Sequence, residues 1–111
     1  MNLPQEISDY LDYIVQCIKD TMPVSAVYLF GSYATGNYRE NSDLDIYIVT
    51  PDRSRRLLDL AVEVDRSIGM PRDMAIDILV NYDEDFEKRS RQFCTLEQEV
   101  IKKGVNIYAN Q

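Results

Sequence analysis

Apolar residues Leu3, Ile7, Tyr10, Leu11, Ile14, Val15 and Ile18 recur at three- and four-residue steps, the spacing that lines one face of a helix. A first helix is predicted over about residues 4–20. Thr21, Met22 and Pro23 interrupt it, and the run Ala26-Val27-Tyr28-Leu29-Phe30 that follows is short, apolar and partly β-branched or aromatic, as a buried strand is. Gly31 and Ser32 end that strand abruptly. The loop 35–42 is rich in turn formers, and the segment 43–49, Asp-Leu-Asp-Ile-Tyr-Ile-Val, supplies a second strand.

Pro51 and Asp52 suit the neighbourhood of a helix start, and Leu57, Leu60, Ala61, Val64 and Ile68 keep helical spacing until Gly69 and Pro71 stop it. A third strand is predicted at 75–80 and a short helix at 83–92. Thr95-Leu96-Glu97-Gln98 reads as a capping box opening another helix that Gly104 closes, and 105–108 adds a last strand. There is no internal repeat, linker or low-complexity segment. The expected architecture is α/β (α+β): one domain over residues 1–111, with a small mixed sheet of three to four strands and helices packed over it.

Composition narrows this reading. With 111 residues, 45% apolar and 28% charged, the chain can bury a single core without disulfide staples and lies outside the disordered range. The longest apolar run, at 26–30, is far short of the ~20 residues a membrane span needs, and the amino terminus lacks a signal pattern. A soluble, cytoplasmic protein without membrane contact is expected. Cys17 and Cys94 form no metal or redox spacing and read as small apolar fillers, and the absence of His excludes imidazole catalysis in this chain. Twelve basic residues against 19 acidic ones give a net charge of −7, a field that repels nucleic acid. Direct nucleic-acid binding is not expected. The basic residues Arg53, Arg55, Arg56, Lys88, Arg89, Arg91, Lys102 and Lys103 read as solvated helix faces.

The chemistry lies in three carboxylates set in strands. Alternation along a strand sends Asp43 and Asp45 to one face and Leu44 and Ile46 to the other. Two such carboxylates repel unless a cation lies between them, and a divalent ion with oxygen ligands, Mg²⁺ by preference, is the usual solution. Asp77 is a lone charge in the apolar string 75–80, and it joins the other two if its strand neighbours theirs. Such a set can hold a pair of metal ions for in-line phosphoryl displacement. Gly31 permits a sharp turn with close backbone approach, and Ser32 adds a hydroxyl where a helix can begin.

Gly31-Ser32, a ten-residue spacer, Asp43-Leu44-Asp45 and a later strand Asp77 together resemble the nucleotidyltransferases that share the DNA polymerase beta catalytic fold. The likeness covers nearly the whole chain and is nearest to the minimal single-domain members (MNT), the antitoxins of HEPN/MNT toxin-antitoxin pairs. The resemblance implies that Gly31 and Ser32 bind the nucleotide triphosphate and that Asp43, Asp45 and Asp77 are the catalytic, metal-binding residues. It implies two Mg²⁺ ions as cofactor, with Asp43 and Asp45 binding both and Asp77 binding the catalytic ion and helping to deprotonate the acceptor hydroxyl.

It further implies a transferase that moves AMP from ATP onto a hydroxyl of a HEPN-domain partner. Many relatives read Gly-Ser-x-Ala-Arg-Gly after the first strand, whereas this chain has Thr35 in place of the Arg, with Arg39 as the nearest substitute cation. Two other readings stand beside transfer to a macromolecule. One is a binding module that neutralises its partner by contact. The other is transfer to a small molecule of aminoglycoside type, for which a homo-oligomer could build the acceptor pocket between subunits.

Overall fold

A computed structural model describes residues 3–70 and 74–108. Along them run α1 (Gln5–Thr21), β1 (Ala26–Phe30), α2 (Ser32–Thr35), β2 (Leu44–Thr50), α3 (Leu57–Ile68), β3 (Ile76–Tyr82), α4 (Asp83–Ser90), α5 (Leu96–Lys103) and β4 (Val105–Asn106). The strands form one sheet in the order β3-β2-β1-β4. β1 is antiparallel to both β2 and β4, whereas β2 and β3 are parallel. A parallel pair needs a crossover long enough to return the chain to the same end of the sheet, and α3 provides it.

The two faces of the sheet are built differently. On one, Leu44, Ile46 and Ile48 of β2 join Val27 and Leu29 of β1 beneath Leu11, Ile14, Val15 and Ile18 of α1 and Leu60 and Val64 of α3. On the other, Tyr47 and Val49 of β2 and Ala26 of β1 pack against Phe86 of α4 and Val100 of α5. This second layer stops short. Along the same face of β2, Val49 and Tyr47 are buried, Asp45 is half-buried and Asp43 is exposed, so the carboxylate end of the sheet stays open to solvent.

Several expectations needed correction. Pro51 and Asp52 do not open α3 but form the turn ahead of it, where the Asp52 carboxylate accepts from the Ser54 amide at 2.9 Å; the helix starts at Leu57. Pro71 lies outside the described residues. Asp43 sits just ahead of β2 rather than in it. In the expected capping box, Thr95 Oγ1 does accept from the Gln98 amide at 3.1 Å. The return bond to Gln98 Oε1 comes from the Cys94 amide, one residue early. Cys94 is no apolar filler: it is exposed, at a φ of 63°. Gly104 closes α5 without a left-handed cap. A Cβ there would lie 2.5 Å from the Val100 carbonyl and 3.1 Å from that of Leu29.

Arg89 is not simply solvated, because its Nε donates to Glu97 Oε1 at 2.9 Å. Glu97 is 6% exposed, and the Tyr47 hydroxyl donates to its other oxygen at 2.8 Å. Asn81 Nδ2 in turn donates to the Tyr47 oxygen at 3.2 Å. This chain of bonds ties α4 and α5 to β2 and β3. Burial pushes the Glu97 carboxyl up, but the Tyr47 hydroxyl, its own backbone amide and Arg89 outweigh it and hold the group below its ordinary value of 4.5. Burial, and then the Glu97 carboxylate, push the Tyr47 hydroxyl up.

A depressed carboxylate stabilises the fold above its unfolded pKa, and that share is lost as pH falls through the folded pKa. Glu97→Gln is therefore expected to cost about 1–2 kcal/mol at pH 7. In urea titrations the gap to the parent should close as pH falls below about 4; equal stability of the two proteins at pH 7 would contradict the assignment.

Candidate active site

The site grows from β2 outward. Asp45 of β2 stands in register with Asp77 of the parallel neighbour β3 and opposite Phe30 of β1. The Asp45 and Asp77 carboxyls are near enough that a proton on one can be shared with the other. Burial raises the Asp45 carboxyl first, followed by the charges of Asp77 and Asp43 and by that shared proton. Asp77 lies on an edge strand and is exposed, so an apolar sequence neighbourhood did not bury it. Asp43 acts on Asp45 through its charge.

Among the described residues no three acidic or thiol side chains converge, as they stand, into a formed metal site. What Asp43, Asp45 and Asp77 present is an oxygen-only donor set under like-charge repulsion. That donor chemistry suits a hard divalent cation, which would relieve the repulsion.

Gly31 fits against this set. Its φ is 74°, a region that favours glycine, and a Cβ would collide with Asp45 Oδ2 and lie 3.2 Å from its Cγ. Any side chain at position 31 would therefore displace Asp45. The chain then turns through α2, where the Ala34 and Thr35 amides donate to the Gly31 carbonyl at 3.1 and 3.2 Å, and Gly36 closes the turn in the left-handed conformation. Tyr33 is buried and stacks on Tyr38 with centroids 4.4 Å apart, which pins the turn to the body. Ser32, at the start of α2, is half-buried.

Beside Gly31 opens a cavity of about 330 Å³ lined by Phe30, Gly31, Thr35, Asn37, Glu99, Val100 and Lys103. A larger hollow of about 520 Å³ along α3, lined in part by Arg55, Leu58, Val62 and Glu63, contains none of the three carboxylates. Arg39 is exposed and does not line the cavity. Arg53 is occupied elsewhere, pairing with Asp85 at 3.4 Å and lying over the Tyr82 ring. Phe30, Asn37 and Lys103 went unnoticed as site residues in the sequence. Phe30 read as core, Asn37 as a turn former and Lys103 as a solvated cation, and only the fold brings α5 alongside the turn after β1.

Residues 12–111 match the polymerase beta nucleotidyltransferase family. The chain belongs to that family. It is 26% identical over 99 residues to the protein adenylyltransferase MntA of Shewanella oneidensis, a match covering 88% of this chain. The match spans 64% of that relative's length. It is 31% identical over 85 residues to MJ0604 of Methanocaldococcus jannaschii, covering 77% of this chain and 79% of the relative. A toxin-antitoxin crystal structure with AMP-PNP superposes with a TM-score of 0.59 at 24% identity, over 86% of this chain and 70% of that one. The nucleotidyltransferase fold expected from the sequence is thus the fold observed.

A carboxyl raised in the fold above its ordinary 3.8 is stabilising only while protonated; its ionisation costs stability that grows as pH rises through the folded pKa. Asp45→Asn removes that penalty. In a chelator-treated sample at pH 7 the variant is expected to melt on the order of 2–5 °C above the parent. The difference should shrink as pH is lowered toward about 3.8. A lower melting point for the variant at pH 7 would contradict the repulsion described.

Proposed function

We propose that this nucleotidyltransferase-family chain transfers AMP from ATP to a hydroxyl of a HEPN-domain toxin in the cytoplasm, and so acts as its antitoxin. The observation that carries the reading is Asp45 held between Asp77 and Gly31, with a cavity opening at the same glycine. In this reading Gly31 and Ser32 bind the triphosphate, Gly31 by admitting a phosphate close to the backbone and Ser32 by its hydroxyl. Asp43 and Asp45 would hold two Mg²⁺ ions, with Asp77 a further ligand to the catalytic one. Bound there, Mg²⁺ supplies Lewis-acid charge on the phosphate oxygens and lowers the pKa of a hydroxyl.

In this reading Asp77, exposed at the sheet edge, takes up the acceptor proton. The acceptor oxygen bonds to the α-phosphorus, the bond from that phosphorus to the bridging oxygen breaks, and pyrophosphate leaves. The name of the Shewanella relative supports a protein acceptor. The toxin-antitoxin neighbour with AMP-PNP supports the pairing with ATP and a toxin. The choice of a HEPN toxin rests on the sequence resemblance.

Incubation of the co-purified partner with MgATP and this protein is expected to add whole AMP units by intact-mass spectrometry. Asp77→Asn should lower that transfer at least about 10³-fold, in the range for loss of a group that acts in the transition state, while its melting point is no lower than the parent's. Transfer at the parent's rate by Asp77→Asn would remove the role given to that residue. Protection of the partner by an Asp43→Asn, Asp45→Asn double variant would identify neutralisation by contact instead.

A further inference from the structure

We propose that Lys103 is the cation that holds the polyphosphate of the nucleotide at this site, and that Glu99 is its resting counter-ion. The inference rests on the nucleotidyl-transfer reading and adds a binding residue to it. A triphosphate entering beside Gly31 meets Asp43, Asp45 and Asp77 in a chain of net charge −7. The turn from Gly31 to Gly36 offers no basic side chain to offset them. Among the described residues that line the adjoining cavity, Lys103 is the sole cation, and Gly31 and Thr35 line the same space.

The backbone that carries Lys103 is fixed in place. Val100, one turn earlier, is buried at 1% exposure. Gly104, the next residue, packs so closely on the carbonyls of Val100 and Leu29 that a Cβ would not fit there. Leu29 lies just two residues before Gly31, so the end of α5 is held over the end of β1. The Lys103 side chain itself is 63% exposed. Its ammonium lies 3.0 Å from Glu99 Oε1 in an i,i+4 pair with both side chains more than half exposed. Such a pair contributes little to stability, so Lys103 can exchange it for phosphate oxygens at small cost, as a point charge on a flexible stem does. Glu99 lines the same cavity and competes with the incoming anion for Lys103.

The two residues therefore act in opposite directions, which a purely structural pair would not do. Calorimetric titration of the intact protein with MgATP is expected to show about tenfold or greater weakening in Lys103→Ala. Lys103→Arg should remain within about threefold of the parent, and Glu99→Gln should bind severalfold more tightly. Adding Thr35→Arg to Lys103→Ala should restore most of the loss, because it returns a cation to the lining of the same cavity. The weakening should be greater for ATP than for AMP. Binding of MgATP by Lys103→Ala at the parent's affinity would overturn the assignment, as would equal losses for ATP and AMP, or a Glu99→Gln variant that binds more weakly than the parent. A parent protein that binds no MgATP would overturn the function proposed above together with this inference, and that result appears before any substitution is made.

Discussion

Two carboxylates in register on adjacent parallel strands, Asp45 and Asp77, are the constraint around which the rest of the structure is arranged. Their repulsion opposes the pairing of β2 with β3, so the pairing must be held from elsewhere. The opposite face supplies that hold: Leu44, Ile46 and Ile48 are fully buried under α1 and α3. Because strand side chains alternate, a slip of one residue would put the carboxylates into that core and move the leucine and isoleucines to the other face. The apolar face therefore fixes the register, and the register brings Asp45 and Asp77 together. Stability and site are set by the same strand, on its two sides.

The second face shows how far the covering layer can extend. α4 and α5 cap Tyr47 and Val49, and the bonds from Asn81 through Tyr47 and Glu97 to Arg89 fasten that cap to β2 and the edge strand β3. Tyr47 lies two residues from Asp45 on the same face. Fully covering the next pleat would bury Asp45, whose ionised form burial already disfavours. The cap ends where the carboxylates begin. Phe30, in register with Asp45, marks that border and forms part of the cavity wall.

Much of this was legible in the sequence because period and alternation are local signals. The stripe from Leu11 to Ile18 gave α1, the apolar run at 26–30 gave β1 to its observed bounds, and alternation put Asp43 and Asp45 opposite Leu44 and Ile46. What was not legible depends on contacts distant in sequence. Nothing local to Asp77 shows that β3 is an edge strand and leaves it exposed. The pairing of Arg89 with buried Glu97 needs α4 and α5 to meet, and from sequence Arg89 reads as a solvated charge and Glu97 only as part of a capping box. Cys94 read as a filler by residue type, but the turn between those helices puts it at positive φ in solvent. Pro51 and Asp52 carry helix-start chemistry that is used instead in a turn closed by Ser54.

Strand order also sets how two substrates can reach one centre. In β3-β2-β1, Asp45 sits on the middle strand, with Asp77 on one side and Phe30 and the cavity on the other. α5 walls the cavity side through Val100 and Lys103, whereas the Asp77 side is an open sheet edge. Under the transfer proposed here, the nucleotide enters from the β1 side, where a walled pocket can position it. The acceptor, far larger and carried by another macromolecule, approaches from the β3 side, where among the described residues no further strand pairs. Under that proposal Asp45, on the strand between the two approaches, is met by both substrates. Its placement between two opposed approaches suits an in-line displacement, in which the entering and leaving oxygens lie on opposite sides of the phosphorus.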